Sequence, residues 1–232
     1  MTLSIIIPVF NEAEIIQSTI SWLVNNDTNN QVIEIIVVDG GSSDGTAELA
    51  GNSGAIVIDS FKGRAAQMNA GAILAKGEVL YFLHADTRPP INYLALINQA
   101  IHKGYDVGCF RLQFDVDHWF LRANTWFTRF NINSFRFGDQ SLFVKKEVFI
   151  KTAGYDESHI VLEDQEMIRR LRKVGKFTVM PAAIITSARK YTTNGIYKTQ
   201  GVYFLIYALY RFGVSQQQLV SLYKKLIRQD KL

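Results

Sequence analysis

Three short apolar runs within the first 86 residues end on acidic or amide side chains: Ser4-Ile5-Ile6-Ile7-Pro8-Val9-Phe10-Asn11-Glu12, Ile35-Ile36-Val37-Val38-Asp39, and Val79-Leu80-Tyr81-Phe82-Leu83-His84-Ala85-Asp86. Runs this short, rich in Ile and Val and lacking polar alternation, predict strands buried on both faces of a parallel sheet. The carboxyl ends of such strands open onto one crevice, where open α/β sheets bind their ligands. Glu12, Asp39 and Asp86 then collect along a single rim. Carboxylates gathered in this way repel one another unless a cation or a hydroxyl-rich partner lies between them, so the pattern points to a metal-assisted sugar or nucleotide site.

Around these runs, strand and helix patterns alternate. The spacing predicts strands over Leu3 to Val9, Ile33 to Asp39, Ala55 to Asp59 and Val79 to Leu83, with helices over Glu12 to Val24, Gly63 to Ala75 and Asn92 to Lys103. Gly40 to Thr46 supplies turn chemistry and a cap for a short helix. This βαβ order implies an α/β fold, a mostly parallel central sheet flanked by helices and joined by right-handed crossovers. After a strand over Val107 to Val116, the stretch from Trp119 to Phe137 is dense in aromatics and Arg. It predicts a helix laying its aromatic face on the sheet, with a sugar or lipid platform as the sharper alternative. Helices are also expected over Glu163 to Val174, Ile196 to Tyr210 and Ser215 to Arg228, where apolar residues recur at helical spacing. The expected organisation is one domain over residues 1–195, with a helical, basic extension over 196–232 packed on or beside it.

A chain of 232 residues can bury a large core without covalent support. The single Cys109 permits no intramolecular bridge, and no Cys/His cluster has zinc-site spacing, which favours a reducing, cytoplasmic compartment. Pro8 interrupts the first apolar run before it could serve as a signal peptide, and no run reaches the roughly 18 to 20 apolar residues of a membrane span. The net charge of +4 conceals an asymmetry: Arg189 to Leu232 carries eight Lys or Arg against the single Asp230, whereas the preceding 188 residues carry 17 basic and 20 acidic groups. A basic, Tyr-rich tail on an acidic body suits a diphosphate, or peripheral contact with the inner face of a membrane; a solvated helical face is the structural alternative. No nucleic-acid partner is expected.

The chemistry-bearing residues fall into a few groups. Asp39 ends a strand and opens the Gly40-Gly41-Ser42-Ser43-Asp44-Gly45-Thr46 turn, where a carboxylate can accept hydrogen bonds from a ribose or a base. His84 and Asp86 follow an apolar strand and would point to the same side of an extended backbone, with Asp86 placed to bridge a hard cation to a diphosphate. Gly63-Arg64 opens a helix whose N-terminus and guanidinium can face negative charge together. Glu163-Asp164 begins another helix, where a carboxylate favoured by the macrodipole can cap. Phosphate-loop and dinucleotide fingerprints are both absent, which argues against a nucleotide triphosphatase and a nicotinamide dehydrogenase.

Taken in order, Pro8-Val9-Phe10-Asn11-Glu12, Val38-Asp39-Gly40-Gly41-Ser42-Ser43-Asp44-Gly45-Thr46, Gly63-Arg64-Ala65, His84-Ala85-Asp86, Glu163-Asp164 and Ser187-Ala188-Arg189-Lys190-Tyr191 resemble the motifs of family 2 glycosyltransferases of the GT-A fold, over Leu3 to Tyr191. The resemblance implies a nucleotide-diphospho-sugar donor, with Pro8, Val9, Glu12 and Asp39 around base and ribose and Arg64 nearby. Asp86 would hold a divalent metal, Mn²⁺ or Mg²⁺, on the diphosphate, His84 standing at the first position of the family's Asp-x-Asp motif. Asp164, beside Glu163, would be the general base that activates a hydroxyl acceptor and gives inversion. Asp139 and Gln140 fall where the family lines its acceptor pocket. Arg189-Lys190-Tyr191 replaces the Gln-x-x-Arg-Trp of processive members, so a non-processive enzyme is expected, with Arg189 or Lys190 at the departing diphosphate. The acceptor would be lipid-linked or a polysaccharide precursor. The alternatives are a sugar-phosphate nucleotidyltransferase, whose glycine-rich basic amino-terminal loop is missing, and a non-catalytic nucleotide-sugar or lipid-head-group binding module.

Overall fold

The computed structural model describes residues 1–136 and 138–228; Phe137 of the aromatic stretch and residues 229–232, with Asp230 and Lys231, lie outside the described residues. Ile5, Ile6 and Ile7 are fully buried because their strand, β1 (Leu3–Val9), lies between β2 (Val32–Asp39) and β4 (Val79–Phe82) and pairs in parallel with both. Ile5 and Ile7 face one core with Ile16, Ile20 and Leu23 of α1 (Ala13–Asn25) and Ile97 of α4 (Tyr93–His102). Ile6 faces the other, with Met68 and Ala72 of α3 (Arg64–Leu74) and Ile168 and Leu171 of α7 (Glu163–Val174). A run without alternation is the consequence of a sheet covered on both sides.

Among the described residues, eight strands form one sheet in the order β3 (Ile56–Asp59), β2, β1, β4, β7 (Leu142–Lys145), β6 (Val107–Phe114), β8 (Phe177–Thr186), β5 (Thr87–Arg88). The sheet is parallel from β3 to β4 and between β6 and β8, but β7 runs antiparallel to both its neighbours. After a long connection over residues 115–141, β7 runs back beside the start of β6, Phe143 opposite Gly108 and Val144 opposite Val107. Neither β7 nor β8 stands out from the apolar pattern. β8 is interrupted by Pro181, and its register against β6 jumps from Cys109↔Val179 to Arg111↔Ala183, a bulge that accommodates the missing N–H. α2 (Thr46–Asn52) and α6 (Lys146–Lys151) complete the helices of the sheet region.

The aromatic stretch departs from its expectation. α5 (Trp119–Trp126) buries Leu121, while Trp119 and Trp126 remain 62% and 46% exposed, and Phe127 and Phe130 are exposed as well. Besides Leu121 and Thr128, whose Oγ1 accepts from Leu112 N at 3.0 Å, the side chain that reaches the sheet is Arg136. It is fully buried, donates to Cys109 Sγ at 3.2 Å, and also donates to the Thr128 and Phe130 carbonyls. Buried carbonyls need a donor, which an aromatic ring cannot supply. Beyond β8, Tyr191 of α8 (Arg189–Asn194) packs edge-on against Phe114 at 4.9 Å and Tyr203 at 5.9 Å, tying α9 (Ile196–Arg211) to the sheet. Val202 and Ile206 of α9 then meet Leu219 and Tyr223 of α10 (Gln216–Leu226), which starts on a Ser215/Gln218 capping box. Among the described residues no helix is long and apolar enough to cross a membrane.

The turn before β4 approaches β1 so closely that a Cβ on Gly77 would stand 2.5 Å from Ser4 N, a backbone atom that cannot swing aside. Gly77→Ala should therefore cost about 1–3 kcal/mol, lowering Tm by about 2–4 °C for each kcal/mol. Gly51→Ala is the control: within α2 its Cβ would meet only Val57 Cγ2, at 3.8 Å, and should stabilise by about 0.5–1 kcal/mol. Thermal melts of the two variants check the contrast.

Candidate functional site

The strands β1 and β2 end in register, Pro8 beside Val38 and Val9 beside Asp39. Both ends are pinned from α3 by Gln67, whose Nε2 donates to the carbonyls of Val9 and Val38 at 2.8 Å each. Beyond the strands, two loops are sewn together. Asn11 N donates to Ser42 Oγ (2.9 Å), Ser43 N to Asn11 Oδ1 (3.0 Å), Glu12 N to Thr46 Oγ1 (2.8 Å) and Ala13 N to Asp44 Oδ2 (3.0 Å). Asp39 is buried, and its Oδ1 accepts from Ser42 N and Ser42 Oγ at 3.0 and 2.5 Å. The floor of the crevice is thus set by hydrogen bonds before any ligand arrives.

β8 brings Arg189 to the same edge. Ser187 N donates to the Asp86 carbonyl (3.1 Å) and Ala188 N to Asp115 Oδ1 (2.8 Å), and Arg189 Nη2 then lies 3.2 Å from Glu12 Oε2 and 3.5 Å from Asp86 Oδ2. Of the three rim acids, this guanidinium draws two together, whereas Asp39 is satisfied within its own turn. The expectation that His84 and Asp86 share one side of an extended strand does not hold. β4 stops at Phe82 and the chain turns, so His84 Nδ1 meets Asp139 Oδ1 at 3.0 Å while Asp86 faces Arg189. Asp139 is held there from behind by the buried Gln140, whose Nε2 donates to the Phe110 carbonyl at 3.0 Å.

A second group forms where α7 begins. Leu162 enters the helix with a left-handed φ of 62°, and no side chain caps it, so the capping role expected of Glu163 and Asp164 is not realised. Both are buried instead, 3% and 9% exposed. Glu163 Oε1 faces Arg64 Nη1 at 3.4 Å. Asp164 and His84 share the wall of a small pocket with Met68, Phe82, Ser141, Leu142 and Ile168. Burial, and after it the charge of Glu163, push the Asp164 carboxyl up to about 7, against the opposing pull of His84 and Arg64. For His84, burial opposes the charged form, but the hydrogen bond and charge of Asp139 prevail and raise its pKa. The same bond holds the half-buried Asp139 below the usual carboxylate range, against the desolvation that opposes it. A carboxyl poised between its two protonation states near neutrality is equipped to take a proton from a hydroxyl.

Two residues of the crevice were not singled out by sequence reasoning. Gln67 left a trace, an amide on the buried face of α3 between Ala65 and Met68; Lys62, whose Nζ lies 3.8 Å above the Phe10 ring, left none. Among the described residues no group of three or more His, Cys, Asp or Glu could hold a metal. Asp86, with its side chain 21% exposed, fits an ion such as Mg²⁺ that keeps its waters and is bound through one or two carboxylates together with substrate phosphates.

Residues 4–155 match the family model described as Glycosyl transferase family 2. Among curated proteins, the chain is similar to Glycosyltransferase AglE of Haloferax volcanii, 36% identical over 39% of this chain and 32% of that protein. It is also similar to an Undecaprenyl-phosphate 4-deoxy-4-formamido-L-arabinose transferase of Aeromonas hydrophila, 30% identical over 52% of this chain and 40% of that protein. The matches therefore span well under half the length of these relatives. In fold, the chain resembles the mannosyltransferase PcManGT of Pyrobaculum calidifontis, solved with GDP-Man and Mn²⁺, with a TM-score of 0.69, 16% identity, and coverage of 88% of this chain and 61% of that one. TarS 1-349 of S. aureus, solved with UDP-GlcNAc, superposes with a TM-score of 0.67 and 17% identity over 82% of this chain and 59% of its own. These solved structures share the GT-A architecture.

The raised pKa of Asp164 has a thermodynamic consequence. The folded state binds that proton more tightly than the unfolded chain, where a carboxyl titrates near its ordinary 3.8. Its contribution to stability is therefore complete below that pH and is lost as pH rises through about 7. Asp164→Asn removes the loss. The variant should melt above the wild type at pH 8, with the gap closing toward pH 4, in thermal melts followed across that range.

Proposed function

The chain belongs to glycosyltransferase family 2, and from that premise we propose that it is an inverting, non-processive transferase that moves one sugar from a nucleotide-diphospho-sugar to a hydroxyl acceptor. The observation that carries this reading is the buried Asp164, ionising at about 7 within reach of the fields of Arg64, His84 and Glu163. Pro8, Val9, Glu12 and Asp39 take the base and ribose, supported by the hydrogen-bonded floor on which they stand. Arg64 and Arg189, with His84 and Asp86 beside them, face the diphosphate. Arg189 is 40% exposed at its side chain and can exchange carboxylate partners for phosphate oxygens. The acceptor enters along Asp139, with Gln140 behind it.

Asp164 takes the proton of the acceptor hydroxyl as its oxygen attacks the anomeric carbon, from the face opposite the leaving group. The bond to the diphosphate breaks as the glycosidic bond forms, so configuration inverts. Glu163 raises the basicity of Asp164 while Arg64 keeps Glu163 itself compensated. Arg189 and Lys190 balance the charge that develops on the departing diphosphate. Mn²⁺ or Mg²⁺ held by Asp86 would supply further neutralisation of that leaving group. The non-processive reading is supported by Tyr191: it is buried and donates to Gln200 Oε1 at 2.9 Å, so its ring packs among the helices and not in the crevice. The relative named for undecaprenyl phosphate makes a lipid-linked acceptor the first to test, ahead of a polysaccharide precursor. A catalytic domain over residues 1–195, an extension over 196–232 and peripheral attachment at the inner face of a membrane belong to the same reading.

Asp164→Asn should lower transfer by about 10²–10⁴-fold while calorimetry finds donor affinity nearly unchanged; lost donor affinity would remove Asp164 from the role of base. In the wild type kcat/KM should rise with pH and level off above about 7. Asp86→Ala should abolish the Mn²⁺ dependence of donor binding in thermal-shift titrations, and an undiminished metal response would overturn that assignment. The anomeric coupling of the product, read by NMR, decides inversion.

A further inference from the structure

α9 has an outer face that its packing does not explain. Val202 and Ile206 point inward against α10. On the opposite side, Tyr197, Gly201, Phe204, Leu205, Ala208 and Phe212 recur at the spacing of one helical face. There Tyr197, Phe204, Leu205 and Phe212 are exposed, Phe212 to 86%. A helix docked on a protein ordinarily turns polar residues outward; this one is apolar on both sides, with the exposed Lys198 and Arg211 beside the outer stripe. The aromatic stretch around α5 lies alongside it: the Phe120 ring stands 5.0 Å from that of Tyr197, and Ser134 Oγ lies 2.7 Å from Tyr207 Oη. In that stretch Trp119, Trp126, Phe127 and Phe130 are exposed, and the Arg129 guanidinium stacks on Trp126 at 4.4 Å.

Charge selects the occupant. Residues 118–136 and 189–228 contain no Asp or Glu, and the second segment alone holds seven Lys or Arg; the exposed Asp117 just before α5 is paired with Arg122 at 3.0 Å. Exposed Trp, Tyr and Phe with a surplus of basic residues form the composition of a surface that rests at a headgroup boundary, rings toward the acyl chains and cations toward phosphates. Pairing two copies of this face would bring like charges together. We infer that the joint outer face of α5 and α9 docks on a bilayer of anionic phospholipid, with Lys198, Arg211 and Arg129 at the phosphates. The inference rests on the membrane attachment proposed above and deepens it, placing the contact on α5 and α9 and not on the basic end of α10.

The test is co-sedimentation of the whole chain, without donor, with vesicles of phosphatidylcholine alone or containing about one-third phosphatidylglycerol. Binding to the anionic vesicles should be at least about tenfold tighter and should weaken as salt rises. Phe204→Ser/Phe212→Ser should abolish it while leaving Tm and donor affinity unchanged. Three results would overturn the inference: no binding to anionic vesicles, binding indifferent to the double variant, or a doubled mass in light scattering that the double variant restores to monomer. Because no donor or turnover enters the measurement, failure of docking leaves the transferase reading standing, and failure of transfer leaves the docking result readable.

Discussion

Everything at the carboxyl edge of the sheet depends on balancing more buried carboxylates than water would tolerate in one place. Glu12, Asp39, Glu163 and Asp164 are all buried near that edge, and they are compensated unequally. A guanidinium takes Glu12 and a second one Glu163; a turn hydroxyl and amide take Asp39. Asp164 is left with the weakest compensation, and its carboxyl is the one pushed up to about 7. Removing a partner from any of the others would leave an uncompensated buried charge, a costly state. The group with reactive potential is therefore the residue of an otherwise satisfied network.

The same edge combines a rigid part with an adaptable one. Gln67 and the four loop-to-loop hydrogen bonds made by Asn11, Glu12 and Ala13 hold the ends of β1 and β2 in place. Arg189, by contrast, is shared between Glu12 and Asp86 at ordinary ion-pair distances and is partly open to solvent. A preformed floor lowers the ordering cost of binding, while a cation bridging two acids can turn to a phosphate without leaving either charge stranded. The outer face of α9 continues the division, being apolar where no internal packing requires it.

Much of this was legible along the chain. The runs at Ile5 to Val9, Ile35 to Asp39 and Val79 to Leu83 are uninterrupted because both sides of those strands are covered, and α7 falls over Glu163–Val174 as its apolar spacing requires. β8 was hidden by Pro181, and β7 by an apolar run of only Leu142-Phe143-Val144 between Ser141 and Lys145. The aromatic stretch misled because aromatic density signals burial only where nothing else competes for the site, and Arg136 competes with better hydrogen bonds. Glu163 and Asp164 looked like capping residues locally, a reading that only their burial displaces.

The sequence by itself determined the layering, the strand ends and the identity of the acids and cations, since apolar periodicity and motif order are written locally. Only the tertiary structure decided which charge answers which. Arg189 reaches Glu12 across 177 positions, Arg64 reaches Glu163 across 99 and His84 reaches Asp139 across 55. Distance and desolvation set the protonation of a carboxyl, and neither exists until the chain has folded. For that reason the acids could be read from the sequence, while the elevated pKa of Asp164 could be read only from its surroundings.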